Sequence, residues 1–275
     1  MKLEKIDIVK KNSFLLDETI KTLNDDNVSW FASYGTLLGV IRDRKLISWD
    51  DDSDIMVPRE DYNKLLKNGS SWFKGPLFFQ TVQTDDYCRY YTRIRLSGTT
   101  AISEWEDINH GHHGMVLDIF PIDHVPNDKN KRNRVVSLRN NFCAQLSSVI
   151  GKTRTKLSLE AFVFYNDFMT KIDKENSESD YLVSSGDPSF LNDSCLFFKD
   201  MFSDYEEINI DGVSESIRVP KECDKVLEIM YGENWRTPVD YKRGNKVFVD
   251  PFNDFSVYKK LKREDLRRLI EDENA

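Results

Sequence analysis

The sequence predicts a domain of mixed α and β structure, α/β or α+β in class, and three observations support this. First, apolar residues recur at helical spacing in three segments, 2–24, 135–149 and 158–172. Second, strand-like apolar runs lie between them, at 28–34, 77–82, 90–96 and 115–120. Third, no internal repeat, low-complexity tract or Pro/Gly-rich linker divides the 275 residues, so we predict one domain.

Composition excludes several classes of protein. With 39% hydrophobic and 31% charged residues the chain has the balance of a globular protein, and its net charge of −8 argues against a general nucleic-acid binder. The first residues alternate charged and apolar side chains, unlike a signal peptide, and no apolar run reaches 18 residues. We therefore expect a cytoplasmic protein.

One segment departs from the acidic balance. Residues 129–156 contain eight Lys or Arg and no Asp or Glu. Such a segment attracts phosphates or the anionic surface of a membrane, and it predicts peripheral association with the inner face of the membrane. A solvated helix face is the alternative interpretation.

The densest group of charges is Asp50–Asp54, in which four of five residues are aspartates, followed directly by the apolar run Ile55–Val57. In an extended backbone Asp50, Asp52 and Asp54 share one face. Like charges that close are destabilising unless a cation lies between them. Because Mg²⁺ is held by one or two carboxylates together with substrate phosphates, the cluster predicts metal-assisted phosphoryl chemistry. A solvated acidic loop is the alternative.

Two further features point to the same chemistry. Gly35 and Thr36 follow a predicted strand at the start of a short helix, where backbone N–H groups and the helix dipole favour a phosphate. Asp118 interrupts the apolar run 115–120, and a buried carboxylate needs a partner. Asp118 could complete a two-metal site with Asp52 and Asp54. The alternative is a capped or salt-bridged core aspartate.

Several segments together resemble the signature of the LicD family, which includes the fukutin-related proteins. They follow one another over about residues 30 to 240, as Tyr34–Gly39, Ile47–Asp54, Pro58–Tyr62, Leu117–Asp123 and Tyr231–Pro238. The resemblance implies an α+β fold with a nucleotidyltransferase-like core, a short mixed sheet flanked by helices. We accordingly interpret 1–275 as a single domain, with the core at about 25–125, a helical insertion at 129–180, and a C-terminal hairpin and helices at 205–275.

The resemblance also implies an activity. Family members transfer a phosphorylated group from a cytidine diphosphate donor to a sugar hydroxyl. The first expectation is Mg²⁺-dependent transfer of phosphocholine from CDP-choline to a cell-surface glycan or its lipid-linked precursor, in capsule, teichoic acid or lipopolysaccharide. One or two Mg²⁺ ions are expected, with Mn²⁺ as a substitute. Three alternatives stay open: glycerol phosphate or ribitol phosphate from a CDP-alditol, nucleotidyl transfer to a small molecule, and a non-catalytic glycan-binding scaffold.

The site residues are carried over by position. Asp52 and Asp54 would be the catalytic metal pair and Asp118 the third metal-binding carboxylate, which would also steer or deprotonate the acceptor hydroxyl. Gly35 and Thr36 would line the phosphate site.

Other candidates for substrate binding come from chemistry and from their place in the sequence. Arg42, Arg59 and Arg95 could form bidentate contacts with donor phosphates, or serve as counter-ions of the acidic cluster. Trp49 and Asp50 flank the metal pair, and Trp49 is among many aromatic candidates for a cage around a quaternary ammonium group.

Two histidines complete the set. His112 and His113 precede the strand of Asp118 and could act as acid, base or metal ligand near neutral pH, with a structural role in their loop as the alternative. Relatives often carry a histidine after the arginine that matches Arg42, whereas this chain has Asp43, so any role of that histidine is not expected here.

Overall fold

The computed structural model describes residues 5–86, 89–103, 106–147, 155–184, 196–238 and 247–273. The helices in these ranges are α1 (Lys5–Asp25), α2 (Tyr34–Asp43), α3 (Arg59–Trp72), α4 (Lys129–Ser147), α5 (Lys156–Glu175), α6 (Cys223–Tyr231) and α7 (Arg263–Glu273). The strands are β1 (Phe31–Ala32), β2 (Asp52–Pro58), β3 (Leu77–Gln80), β4 (Thr92–Leu96), β5 (Thr100–Ser103), β6 (Met115–Val125), β7 (Tyr181–Ser184), β8 (Leu196–Phe198), β9 (Tyr205–Ile208), β10 (Ile217–Pro220) and β11 (Val247–Asp250).

A mixed sheet forms the centre of the described structure. Its strand order is β1-β2-β6-β4-β3, with β7 added beside β6 and β8 beside β7. Strands β2 and β6 run parallel, and the other pairs of this sheet are antiparallel. Two small two-stranded sheets, β9 with β10 and β5 with β11, lie outside it. The predicted α+β class is confirmed.

Strand β6 joins the two halves of the central sheet. Along one edge it pairs with β2, and along the other it pairs first with β4, through Met115–Ile119, and then with β7, through Ile122–Val125. The sequence predicts this strand over 115–120. It continues to Val125 because Ile122 and Val125 are also buried in the main core.

Three predicted elements differ in detail from the structure. The strand predicted over 28–34 pairs only at Phe31 and Ala32, because α2 already begins at Tyr34. The hairpin predicted around Asp211-Gly212 has a longer loop, since β9 ends at Ile208 and β10 begins at Ile217. Strands β5, β7, β8 and β11 were not predicted, because each has only three or four residues.

Helices cover the sheet with their apolar faces. Leu16, Ile20 and Leu23 of α1 and Tyr165 and Met169 of α5 are fully buried in the main core. Burying an aliphatic side chain of this size stabilises the fold by about 1.5–3 kcal/mol. None of the helices in the described ranges is long and apolar enough to cross a bilayer.

The predicted basic segment is only partly a surface. Residues 148–154 lie outside the described residues. Within α4, Lys131 and Arg134 are exposed, but Arg132 and Arg139 are buried. Arg132 donates to two backbone carbonyls and stacks on Tyr181, with its guanidinium 3.9 Å from the ring centroid. These two arginines therefore stabilise the fold, and membrane association stays a prediction.

A buried ion pair joins α3 to β6. Arg59 is the first residue of α3, and its side chain is 1% exposed. Its Nε and Nη2 donate to the two carboxylate oxygens of Asp123, and its Nη1 donates to Asn166 of α5 at 3.1 Å. These contacts place the Arg59 guanidinium in the core as the partner of Asp123. Its contact with a donor phosphate stays a prediction.

We predict that Arg59→Met destabilises the protein by about 3–5 kcal/mol, because it leaves the buried Asp123 carboxylate unpaired. The double variant Arg59→Met/Asp123→Leu should recover most of this loss, since no uncompensated charge remains. Chemical denaturation of the three proteins measures the difference.

The matched control is Lys225→Met, which breaks an exposed pair with Glu222. It should cost less than about 1 kcal/mol. A double variant as unstable as the single Arg59→Met would contradict the account of Arg59 as the partner of a buried charge.

Candidate functional site

Three carboxylates converge where β2 and β6 run side by side. The parallel register places Asp54 directly opposite Asp118, and Asp52 lies on the same face of β2 two residues earlier. One carboxylate oxygen from each of the three residues lies within 4.8 Å of the others. Oxygen ligands in this number and spacing suit a hard divalent cation.

The electrostatics of the cluster support this fit. Burial raises the pKa of Asp52 well above its usual range, and the neighbouring carboxylates, Asp50 first among them, raise it further. Burial likewise raises the pKa of Asp54, together with the charge of Asp118. At neutral pH the folded protein therefore carries carboxylates whose ionised forms are unfavourable without a positive charge between them.

The first turn of α2 holds Asp54 in position. The Thr36 hydroxyl accepts a hydrogen bond from the Asp54 backbone N–H at 2.8 Å, and the Asp54 carbonyl accepts one from the Ser33 N–H at 3.1 Å. A hydrogen bond from the Gly35 backbone lowers the pKa of Asp54, against the effects that raise it. Among the contacts described, Thr36 and Gly35 therefore fix a carboxylate of the cluster, and their role as lining of a phosphate site stays a prediction.

Gly35 is required by close approach. A Cβ at this position would lie 2.3 Å from Asp50 Oδ2 and 3.8 Å from Asp54 Oδ2. The Asp50 carboxylate therefore occupies the space of the missing side chain. Asp50, Asp51 and Asp52 also form a second group in which one oxygen from each residue lies within 4.8 Å of the others.

Asp118 has partners that the sequence did not reveal. Strand β4 places Arg93 opposite Asp118. Asp118 Oδ2 accepts hydrogen bonds from the Tyr91 hydroxyl at 3.0 Å and from Arg93 Nη2 at 3.2 Å. Asp118 Oδ1 lies 2.7 Å from Arg93 Nε but accepts no hydrogen bond of good geometry. Arg93 therefore contacts both oxygens of the Asp118 carboxylate.

A second carboxylate continues this network. Glu106 lies 3.8 Å from Arg93 Nη1 and 3.5 Å from Arg89 Nη2. Burial alone would raise its pKa, but a hydrogen bond with His113 and the nearby cations hold the pKa of Glu106 well below its usual range. Arg89, Tyr91 and Arg93 fall in or next to the predicted strand 90–96, so their types were visible in the sequence. Their approach to Asp118 was not, because it depends on strand register.

The other predicted arginines have partners of their own. Arg42 pairs with Asp43 through two hydrogen bonds, at 2.9 Å and 2.7 Å. Arg95 is 1% exposed and donates to Gln80 Oε1 and to the Gly114 carbonyl. None of the contacts described for these two side chains reaches the acidic cluster, so we do not assign them to donor phosphates.

The histidines lie in a separate, packed region. The His113 side chain is fully buried, and its Nε2 donates to the carbonyls of Asp107 and His110. The His112 ring stacks on Phe78, with centroids 4.8 Å apart, and also contacts Phe255. These contacts correspond to the structural alternative rather than to the predicted roles as acid, base or metal ligand.

Aromatic side chains border the acidic cluster on two sides. Trp49 precedes Asp50 and is 45% exposed, so it remains a predicted substrate contact. Tyr34 precedes Gly35 and has a φ of 42°, which is rare for a bulky residue. Its ring packs on Phe120 and its hydroxyl lies 3.2 Å from Ser184 Oγ.

A mixed sheet that brings three carboxylates together beside a helix N-terminus defines a candidate cation site of the kind used in phosphoryl transfer. Comparison with known proteins identifies a similar family. Residues 27–149 match the family model described as LicD/FKTN/FKRP, nucleotidyltransferase domain. This match confirms the resemblance to the LicD family predicted from the sequence. Asp52, Asp54 and Asp118 all lie inside the matched segment.

A curated relative agrees with this assignment. Over 123 residues the chain is 28% identical to the lipopolysaccharide cholinephosphotransferase LicD of Haemophilus influenzae. The match covers 42% of this chain and 45% of the relative, so the chain spans less than half the length of that protein.

We predict that His112 makes stability pH-dependent. Its burial and the charge of Arg95 lower its pKa to about 4. Because the unfolded chain binds a proton near pH 6.5 and the folded protein does not, stability is greatest above that pH and falls between about 6.5 and 4, by up to about 3 kcal/mol. His112→Gln should remove this part of the slope in denaturation curves recorded at several pH values.

His110→Gln is the control, because His110 is a third exposed and lies in the same loop. If His112→Gln loses stability below pH 6.5 as steeply as the wild-type protein, groups other than His112 cause the loss.

Proposed function

We propose that this protein is a transferase that moves a phosphorylated group from a nucleotide-linked donor to a hydroxyl of a glycan, with a divalent cation held by Asp52, Asp54 and Asp118. The observation that carries the proposal is the convergence of these three carboxylates at the β2–β6 junction, within the segment that matches the LicD family. We also propose that the core of the chain has a nucleotidyltransferase-like fold.

The charges of the cluster support a cation rather than a structural role. Asp52 and Asp54 stay together although burial and mutual repulsion raise the pKa of each. A purely structural site has no use for carboxylates that repel one another. Mg²⁺ is the expected ion and would neutralise charge on the donor pyrophosphate.

The chain's own residues would position the reactants, and most of the catalysis would come from positioning. In the transfer the acceptor oxygen forms a bond to the phosphorus, the bond from that phosphorus to the leaving nucleotide breaks, and the hydroxyl proton is released. Both oxygens of Asp118 are already in contact with Arg93, and Tyr91 donates to one of them, so the carboxylate is held by its own neighbours rather than free to approach an acceptor hydroxyl. We therefore propose it as a cation ligand rather than as the base that was first expected.

The donor and acceptor are proposed from the relative. Its name assigns phosphocholine as the transferred group and lipopolysaccharide as the acceptor. We propose CDP-choline as the donor and a cell-surface glycan or its lipid-linked precursor as the acceptor. Glycerol phosphate and ribitol phosphate donors are the alternatives that the experiment below separates.

We predict that Asp54→Asn stabilises the protein in the absence of divalent cations. Because folding raises the pKa of Asp54, this carboxyl costs stability at every pH above its ordinary value in the unfolded chain, neutral pH included, whereas an amide at the same position carries no charge. Each kcal/mol gained should raise Tm by roughly 2–4 °C for a chain of this size. Wild-type protein should gain Tm on addition of Mg²⁺, and the variant should gain little.

Asp107→Asn provides a control, because Asp107 is an exposed carboxylate whose pKa is lowered by a hydrogen bond from the Asn109 backbone. It should not be stabilised and should keep the Mg²⁺ response. A lower Tm for Asp54→Asn without cations would contradict the proposed repulsion.

The deciding experiment measures release of cytidine monophosphate from CDP-choline, CDP-glycerol and CDP-ribitol, with Mg²⁺ and mixed glycan acceptors. We expect turnover of CDP-choline that disappears with EDTA and falls at least about a hundredfold in Asp52→Asn. Turnover of another donor would change the transferred group and keep the site. Release of pyrophosphate in its place would indicate nucleotidyl transfer, and a folded protein inactive with all donors would favour a non-catalytic role.

A further inference from the structure

We infer that Arg93 and Tyr91 are positioning residues for the cation site, holding the Asp118 carboxylate in the orientation that brings one of its oxygens close to Asp52 and Asp54. The inference rests on the proposed function, because it assumes that Asp118 binds a cation. It extends that function from the three aspartates to strand β4.

Arg93 contacts both oxygens of Asp118, and Tyr91 contacts one of them. Oδ2 accepts from the Tyr91 hydroxyl and from Arg93 Nη2, and Oδ1 lies 2.7 Å from Arg93 Nε. These contacts fix the direction of the carboxylate, as neighbouring groups orient the ligands of metal sites. An ionised carboxylate has about four lone-pair sites, so a cation can still be bound by the held group.

Arg93 and Tyr91 are themselves held in place. The Arg93 guanidinium lies 5.5 Å from the centroid of the Tyr91 ring. Arg93 Nη2 and Arg89 Nη1 both donate to the Tyr91 hydroxyl oxygen, at 3.2 Å and 3.1 Å, so the hydroxyl proton is directed to Asp118. Glu106 lies against both guanidinium groups. The network therefore anchors Asp118 from behind, through side chains that are themselves mostly buried.

A simple ion pair would have the opposite effect on cation binding. If Arg93 only neutralised Asp118, it would compete with the cation, and its removal would strengthen cation binding by removing a nearby positive charge. If Arg93 orients Asp118, its removal weakens cation binding, because the carboxylate is then free to turn away from Asp52 and Asp54. Whether the Kd for the cation rises or falls when Arg93 is removed therefore distinguishes these two roles.

The test measures the Kd for Mn²⁺ by electron paramagnetic resonance of the free ion, with the full chain and no substrate. Arg93→Gln should weaken binding by about 10- to 100-fold. Arg93→Lys should recover part of the loss, because it restores the charge but not the planar fork. Tyr91→Phe, which keeps the ring, should weaken binding by about tenfold through loss of one charge-assisted hydrogen bond.

Arg218→Gln is the matched control. Arg218 also lies over aromatic rings and beside a carboxylate, Glu207, but it belongs to the separate sheet of β9 and β10. Its substitution should leave the Kd for Mn²⁺ unchanged.

Binding by Arg93→Gln as tight as wild type, or tighter, would overturn the inference. If Arg93→Gln fails to fold, the inference is tested with Tyr91→Phe. An unchanged Kd for Mn²⁺ in Tyr91→Phe then overturns the inference. Asp52→Asn tests the cation site itself. If the wild-type protein does not bind Mn²⁺, or if binding survives in Asp52→Asn, the proposed cation site is contradicted. The inferred role of Arg93 is then contradicted as well.

Discussion

The parallel pairing of β2 with β6 is the constraint on which the site depends. This register sets Asp54 opposite Asp118, and a slip of one residue would turn one of the two carboxylates to the other face of the sheet. The same strand β6 carries Asp123 to its buried pair with Arg59. One strand thus links the acidic cluster to the core, so the geometry of the site depends on interactions several residues away.

The three carboxylates of the cluster differ in how far neighbouring groups offset their mutual repulsion. Asp118 is balanced by the guanidinium of Arg93 from β4 and by the phenol of Tyr91, which directly precedes β4, whereas burial and repulsion dominate at Asp52 and Asp54. The site therefore has a neutralised side, formed by β4, and an uncompensated side, formed by β2. A bound cation would complete the charge balance mainly on the β2 side.

The sequence predicted those features that depend on neighbouring residues. The spacing of Asp52 and Asp54 and the apolar setting of Asp118 are local, and each was placed correctly at a strand. The partners of Asp118 depend on which strand lies next to β6 and in which register, and no local pattern contains that information. The ion pair of Arg59 was not predicted for the same reason, since its partner Asp123 lies 64 residues away.

Gly35 shows how an absent side chain can shape a site. This glycine does not have a positive φ, so the backbone alone does not require glycine there. The missing side chain leaves space, and the Asp50 carboxylate occupies the position that a methyl group would need. A ligand that approached the acidic cluster along the first turn of α2 would therefore meet the Asp50 carboxylate first and would have to displace it.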